Sequence, residues 1–164
     1  KKLVALFATD AGHPHQTPTM AVDFDADQGV RYRSITRAPT AGKDLDAFIR
    51  DWAEGVNSHN VLSVVGCYDA DGLLWGTFAK DLRVGHFHIK RYFEHLFDLD
   101  DVRVRFETGE TRRYGEIYLR SGAYAFTYRK RGALVTVPAR YSFVCKREKT
   151  GWYVLEHHSS EFPT

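Results

Sequence analysis

Cysteine and methionine are scarce in this chain: two Cys and one Met among 164 residues. Cys67 and Cys145 form no CxxC pair and stand in apolar surroundings. Two buried free thiols are therefore expected, and sequence alone leaves a disulfide open. No apolar run approaches the ~20 residues that a membrane-spanning helix needs. Net charge is nearly absent, +2 from 23 Lys and Arg against 21 Asp and Glu. That balance argues against a general nucleic-acid binder, although local basic strips exist. There are no internal repeats and no low-complexity tract. The first residue is Lys1 rather than Met. A trimmed leader or a larger precursor is expected, and no targeting signal is left to read.

Aromatic residues, by contrast, are plentiful, with eleven Phe and nine Tyr. They suit a curved sheet around a lined cavity. The length fits one domain with a core that needs no staples.

Residues 1–42 read as an N-terminal arm. His13 and His15 form a His-x-His pair that could bind metal, but among Pro14 and Pro18 an exposed loop is the better reading. Met20 to Ser34 suggests a hairpin turning at Asp25 to Gly29. Residues 43–164 form the main domain. Leu45, Phe48, Ile49, Trp52, Ala53 and Val56 make one apolar stripe, so Lys43 to Asn57 is predicted as a helix. A second helix is expected over Asn60 to Tyr68, with Asn60 as its cap. Asp69 to Gly72 reads as a turn and Leu73 to Thr77 as a strand. Ile89 to Phe97 is a third helix, striped by Ile89, Tyr92, Phe93 and Leu96. Near Asp101 the period changes to two. Strands are predicted from Val102, over Arg112 to Arg120, Gly122 to Lys130, Leu134 to Arg147, and Tyr153 to Ser160. Helices followed by a run of antiparallel strands mean α+β.

The last strand carries the chemistry. It begins as Trp152-Tyr153-Val154-Leu155 and then turns polar: Glu156-His157-His158-Ser159-Ser160. Alternation puts Tyr153, Leu155, His157 and Ser159 on one face, and Trp152, Val154, Glu156, His158 and Ser160 on the other. Each face holds an imidazole and a hydroxyl about 7 Å apart, close enough to touch one small polar ligand. A polar strand end fraying into solvent is the bland alternative.

The segment GWYVLEHHSSEFP resembles the terminal strand of the calcium/calmodulin-dependent kinase II association domain, within the NTF2-like superfamily. More narrowly, His157-His158-Ser159-Ser160 followed by Pro163 resembles the signature of iota-class carbonic anhydrases. That pattern usually carries a third histidine where this chain has Glu156. The resemblance runs over about residues 43–163. It implies an NTF2-like cone: three N-terminal helices packed on a strongly curved antiparallel β-sheet. It places Ser159 in the pocket, so that His157 faces inward with it while His158 and Ser160 face outward. It also matches Thr77 and Tyr92 to pocket hydroxyls. The separate readings of those two are a strand threonine and a core aromatic. Tyr141 could extend the pocket, and Arg140, on the opposite pleat, is expected to pair with a surface acid.

The implied activity is reversible hydration of carbon dioxide to bicarbonate and a proton. Thr77, Tyr92 and Ser159 would bind the substrate, and His157, with an ordinary pKa near ~6.5, would accept the proton. His86 and His88, spaced i, i+2 on a strand with His95 nearby, are the candidates for zinc, but no third ligand falls at a convincing spacing. A metal-free enzyme without a cofactor is expected. A non-catalytic association module binding a small carboxylate is the alternative. A ketosteroid-isomerase-like enzyme is a third reading, which would need a pocket acid as base. Aromatics such as Tyr118, Tyr124, Phe126 and Tyr128 suggest a homodimer through the outer sheet face. For location the resemblance suggests a plastid in an alga or the periplasm in a bacterium.

Overall fold

The computed structural model describes residues 45–163 without a break, and before them three strand segments, residues 4–5, 19–25 and 29–35. These three are β1 (Val4–Ala5), β2 (Thr19–Asp25) and β3 (Gly29–Ile35), joined in the order β1-β2-β3. β2 and β3 are the antiparallel hairpin expected from Met20 to Ser34. His13 and His15 lie outside the described residues.

Three helices follow the expected stripes. In α1 (Leu45–Asn57) the residues Leu45, Ile49, Trp52 and Val56 are buried. α2 (Val61–Val65) is a single short turn, capped by Asn60, whose Oδ1 accepts the Ser63 N–H at 3.0 Å. It ends before Tyr68, which begins a strand instead. α1 and α2 pack tightly at Gly55, where a Cβ would come within 2.8 Å of Val64 Cγ2. α3 (Gly85–Leu96) buries His86, Ile89, Tyr92, Phe93 and Leu96. It starts four residues earlier than its apolar stripe suggests. Its cap, Val84, makes no side-chain capping bond, so no polar residue marks the start.

Six strands form the main sheet: β4 (Tyr68–Trp75), β5 (Arg83–Val84), β6 (Asp100–Tyr114), β7 (Ile117–Lys130), β8 (Ala133–Glu148) and β9 (Gly151–Glu161). Their order is β5-β4-β9-β8-β7-β6. All neighbours are antiparallel except β4 and β9, which run parallel. The sheet is the strongly curved, antiparallel-rich one expected, with a single parallel pair where β9 lies beside β4. The predicted turn at Asp69 to Gly72 lies inside β4, at a register shift between Tyr68 and Leu73. The predicted strand Arg112 to Arg120 is in fact the end of β6, a turn at Gly115, and the start of β7.

Bulges bend the sheet into its cone. One lies in β6 near Phe106 to Thr108, close to where Gly109 faces Gly122 across the strands. A Cβ on Gly122 would overlap the Thr108 carbonyl, so a side chain cannot be built there without moving backbone. The concave face is packed around Trp52, which meets Phe93, Phe106, Tyr124, Phe143 and His157 edge-on or stacked. Helices on one face of a strongly bent, mostly antiparallel sheet complete an α+β cone. Cys67 and Cys145 are buried and free, 8% and 0% exposed.

Candidate functional site

The site is built where β9 crosses the concave face. A register shift between Val144 and Cys145 makes Cys145 face Val154 while Val144 faces Glu156, so Leu155 is the extra residue of a bulge. Cross-strand partners share a face. Val154, His157 and Ser159 stand opposite Cys145, Phe143 and Tyr141, all of them core-facing. Trp152 also packs inward, against Phe48 and Tyr118. Unbroken alternation would have put Trp152 and Val154 with His158. The bulge instead switches parity in mid-strand, and His157 and Ser159 point inward at 2% and 5% exposure.

Tyr68 Oη lies 2.9 Å from His157 Nδ1, and Tyr124 Oη lies 3.2 Å from His157 Nε2. Trp52 Nε1–H donates to Tyr68 Oη at 3.2 Å. Burial, with a smaller contribution from the charge of His158, lowers the His157 pKa to about 3. The ordinary imidazole pKa expected from sequence is therefore corrected: His157 is neutral throughout the physiological range. Burial likewise raises the pKa values of Tyr68 and Tyr124.

Beyond Tyr124 come the small hydroxyls. Ser159 Oγ is hydrogen-bonded to Thr77 Oγ1, and both interact with the Tyr124 hydroxyl. Thr77 is not a strand threonine. It sits in a turn after β4, closed by Ala79 N–H donating to Gly76 O at 2.9 Å, and is half-buried. Tyr92 reaches the same turn from α3. Its ring lies so close to Gly76 that a Cβ there would come within 2.6 Å of the Tyr92 hydroxyl. That hydroxyl bonds to the Phe78 backbone, and burial pushes its pKa up to about 12. Arg83 is near enough to exert a small opposite pull.

The structure thus brings Thr77, Tyr92, His157 and Ser159 to one place. Tyr141 is adjacent by its ring, 4.9 Å between centroids from Tyr124, but its hydroxyl donates away from the cluster to Thr108 O at 2.9 Å. Arg140 faces outward, and its Nε donates to Ser160 Oγ at 3.0 Å rather than to the expected acid. With His158, Ser121, Ser142, Gly122 and Tyr141, these two line an open cleft of about 290 Å³, mostly on the other face of the sheet.

His86 and His88 are on a helix, not a strand. His86 is buried, with Nε2 2.8 Å from Tyr68 O, while His88 is exposed. Among the described residues no group of three or more His, Cys, Asp or Glu is placed to hold a metal ion.

Sequence reasoning misses Trp52, Tyr68 and Tyr124 as parts of this cluster. Trp52 reads as helix stripe and Tyr68 as a helix end. Tyr118, Tyr124, Phe126 and Tyr128 read as aromatics on both pleats, yet their even spacing is that of one face, which the structure packs against the core. The aromatic surplus invoked for a dimer face is accordingly internal.

Sheet curvature, helix placement and an enclosed polar cluster define an NTF2-like, cystatin-like cone. The chain belongs to the calcium/calmodulin dependent protein kinase II association domain family, whose model matches residues 41–163. A protein from Xanthomonas campestris provisionally assigned as such an association domain is 26% identical, with a TM-score of 0.69 over 78% of this chain and 94% of that one. A provisional dehydratase of the NTF2-like family from Streptomyces avermitilis is 12% identical, with a TM-score of 0.66 over 78% of this chain and 100% of that one. A ketosteroid isomerase-like protein from Erwinia carotovora atroseptica is 15% identical, with a TM-score of 0.60 over 73% of this chain and 94% of that one. These last two share the fold alone. No curated protein sequence matches the chain.

Proposed function

We propose that the chain is a carbonic anhydrase, hydrating carbon dioxide reversibly at the Thr77–Ser159 hydroxyl pair. The observation that carries this reading is that pair, hydrogen-bonded and backed by Tyr124 and a neutral His157. In the forward reaction carbon dioxide lies against the two hydroxyls. Water oxygen bonds to carbon, one C=O electron pair moves onto an oxygen, and hydroxyl donors stabilise the negative charge that develops there. The released proton passes to a buffer base at the exposed side of Thr77. His157 does not take it, since both its nitrogens are engaged and its pKa is low. Resemblance of the His157-His158-Ser159-Ser160-Pro163 segment to iota-class enzymes supports the same substrate.

The reaction as written uses no metal. Stopped-flow carbon dioxide hydration, before and after exhaustive chelation, tests both points. Activity that survives chelation supports the reading, and a parent protein without activity removes it.

The family match supports a second reading, a non-catalytic association module. In that reading the chain binds a small carboxylate and forms a homodimer. Sedimentation at micromolar concentration, with carboxylate titration, distinguishes it. An isomerase-type reading has less support: the buried polar side chains among the described residues are His86, His157 and Ser159, with no acid among them.

A further inference from the structure

The buried chain from Trp52 to Thr77 has a hydrogen-bond direction, and that direction follows from counting protons. Indole Nε1–H can donate and cannot accept. Trp52 therefore gives its proton to Tyr68 Oη. Tyr68 keeps one proton of its own, and the partner left for it is His157 Nδ1. If Nδ1 carried a proton instead, Tyr68 Oη would face two donors and its own O–H would be left buried without an acceptor, an arrangement native cores avoid. Nδ1 is then the acceptor and Nε2 bears the hydrogen, which points at Tyr124 Oη. Tyr124, having accepted, has one proton to give onward, to Ser159 or to Thr77, the remaining partners of its hydroxyl. Of the pair's own two protons one is spent in the Thr77–Ser159 bond, which leaves the other for a ligand.

We infer that Trp52, Tyr68 and Tyr124 are positioning residues. Together they lock His157 as the Nε2–H tautomer, so that the Thr77–Ser159 pair meets its ligand as a hydrogen-bond donor site for an anionic oxygen. Every proton in the chain points toward the pair. The site is thereby suited to bicarbonate or another small oxyanion, which takes the pair's free proton, and less suited to a cation, which has only protons to offer. This rests on the proposed pocket, but the tautomer is independent of any turnover. Tyr68 touches no ligand in this scheme and acts through His157.

The test is imidazole ¹⁵N NMR of the full chain, with the His157 signals assigned by their loss in His157→Gln. The expected spectrum has an unprotonated Nδ1 and a protonated Nε2, unchanged between pH 8 and 5. An Nδ1–H tautomer, or titration near 6.5, overturns the inference. Bicarbonate should shift the Nε2 signal, whereas the methylammonium cation at equal concentration, which can donate but not accept, should leave it in place. Equal shifts by both would overturn the donor-site assignment. Tyr68→Phe should blur the single tautomer and lower carbon dioxide hydration about 10- to 100-fold, whereas Tyr153→Phe, whose hydroxyl bonds Thr150 instead, should change neither. If the wild type shows the expected tautomer and bicarbonate shift but no hydration, the enzyme reading falls while the donor site stands. Full activity in a Tyr68→Phe protein with an unaltered tautomer would remove Tyr68 from the positioning set.

Discussion

The imidazole of His157 lies flat on the ring of Phe143, centroids 3.9 Å apart and planes 18° from parallel. Trp52 meets the same imidazole edge-on at 5.3 Å. An aromatic enclosure of this kind removes water from the ring and disfavours its charged form. The pKa falls to about 3, and stability becomes pH-dependent as a consequence. Above pH ~6.5 the imidazole is neutral whether the chain is folded or unfolded. Below it the unfolded chain takes up a proton that the folded chain refuses. The contribution is thus complete above ~6.5 and is lost as pH falls toward 3, at about 1.4 kcal/mol per pH unit.

Urea midpoints at pH 7, 6, 5 and 4 should therefore fall more steeply for the wild type than for His157→Gln. Parallel curves for the two proteins would mean that some other group controls acid lability.

Both thiols should be inert in the folded protein. Burial raises the pKa of Cys67, with smaller contributions from the charges of Asp51 and Cys145, and pushes Cys145 up to about 12. The thiolate is the reactive form, so little of it is present at pH 8. An aromatic disulfide reagent should find almost no fast-reacting cysteine among these two until urea is added, and then both. A thiol that reacts natively at the rate of a free peptide cysteine would show that its strand opens locally.

Gly76→Ala should act through Tyr92. The added methyl group would collide with the buried Tyr92 ring, and overpacking of this kind typically costs about 1–3 kcal/mol. Displacing the ring also takes its hydroxyl from the Phe78 backbone. Gly76→Ala and Tyr92→Phe should then each lower hydration, and the double variant should be little worse than the single ones. Losses that multiply would show that Gly76 and Tyr92 act separately.

Much of this architecture is legible from periodicity. The stripes of α1 and α3 and the alternation of β7 and β8 each have one buried face, so hydrophobicity marks them directly. Features set by backbone geometry are not legible. The Asp69-Ala70-Asp71-Gly72 segment has turn composition yet lies within β4, because its neighbour β9 tolerates a register shift. Gly109 and Gly122 read as breaks but face each other inside long strands. His86 reads as a strand residue because the start of α3 at Gly85 lacks a polar cap. The candidate site shows the same division. His157 and Ser159 emerge from the motif. Tyr68, however, reaches His157 across 89 residues of chain, and Trp52 reaches Tyr68 across 16, through hydrogen bonds that no local pattern encodes.

The parity of β9 decides which pair of variants loses function. Because the bulge at Leu155 turns His157 and Ser159 toward Tyr124, Ser159→Ala removes the hydroxyl proposed to meet the substrate, and His157→Ala breaks the hydrogen-bond chain behind it. An oriented donor to a developing oxyanion is typically worth about 100- to 1,000-fold in rate. Ser159→Ala and Thr77→Val should approach that range in kcat. His157→Ala should lose at least about 10-fold while leaving the pH profile free of a histidine limb, since the imidazole does not titrate near neutrality. His158→Ala and Ser160→Ala alter the outer cleft and should stay within about twofold. Stopped-flow hydration with a pH indicator, at several buffer concentrations, measures all five. Rates that rise with buffer would fit a proton leaving to solvent. Loss of activity in the His158 and Ser160 variants instead would place the chemistry on the outer face, beside Arg140 and Ser142.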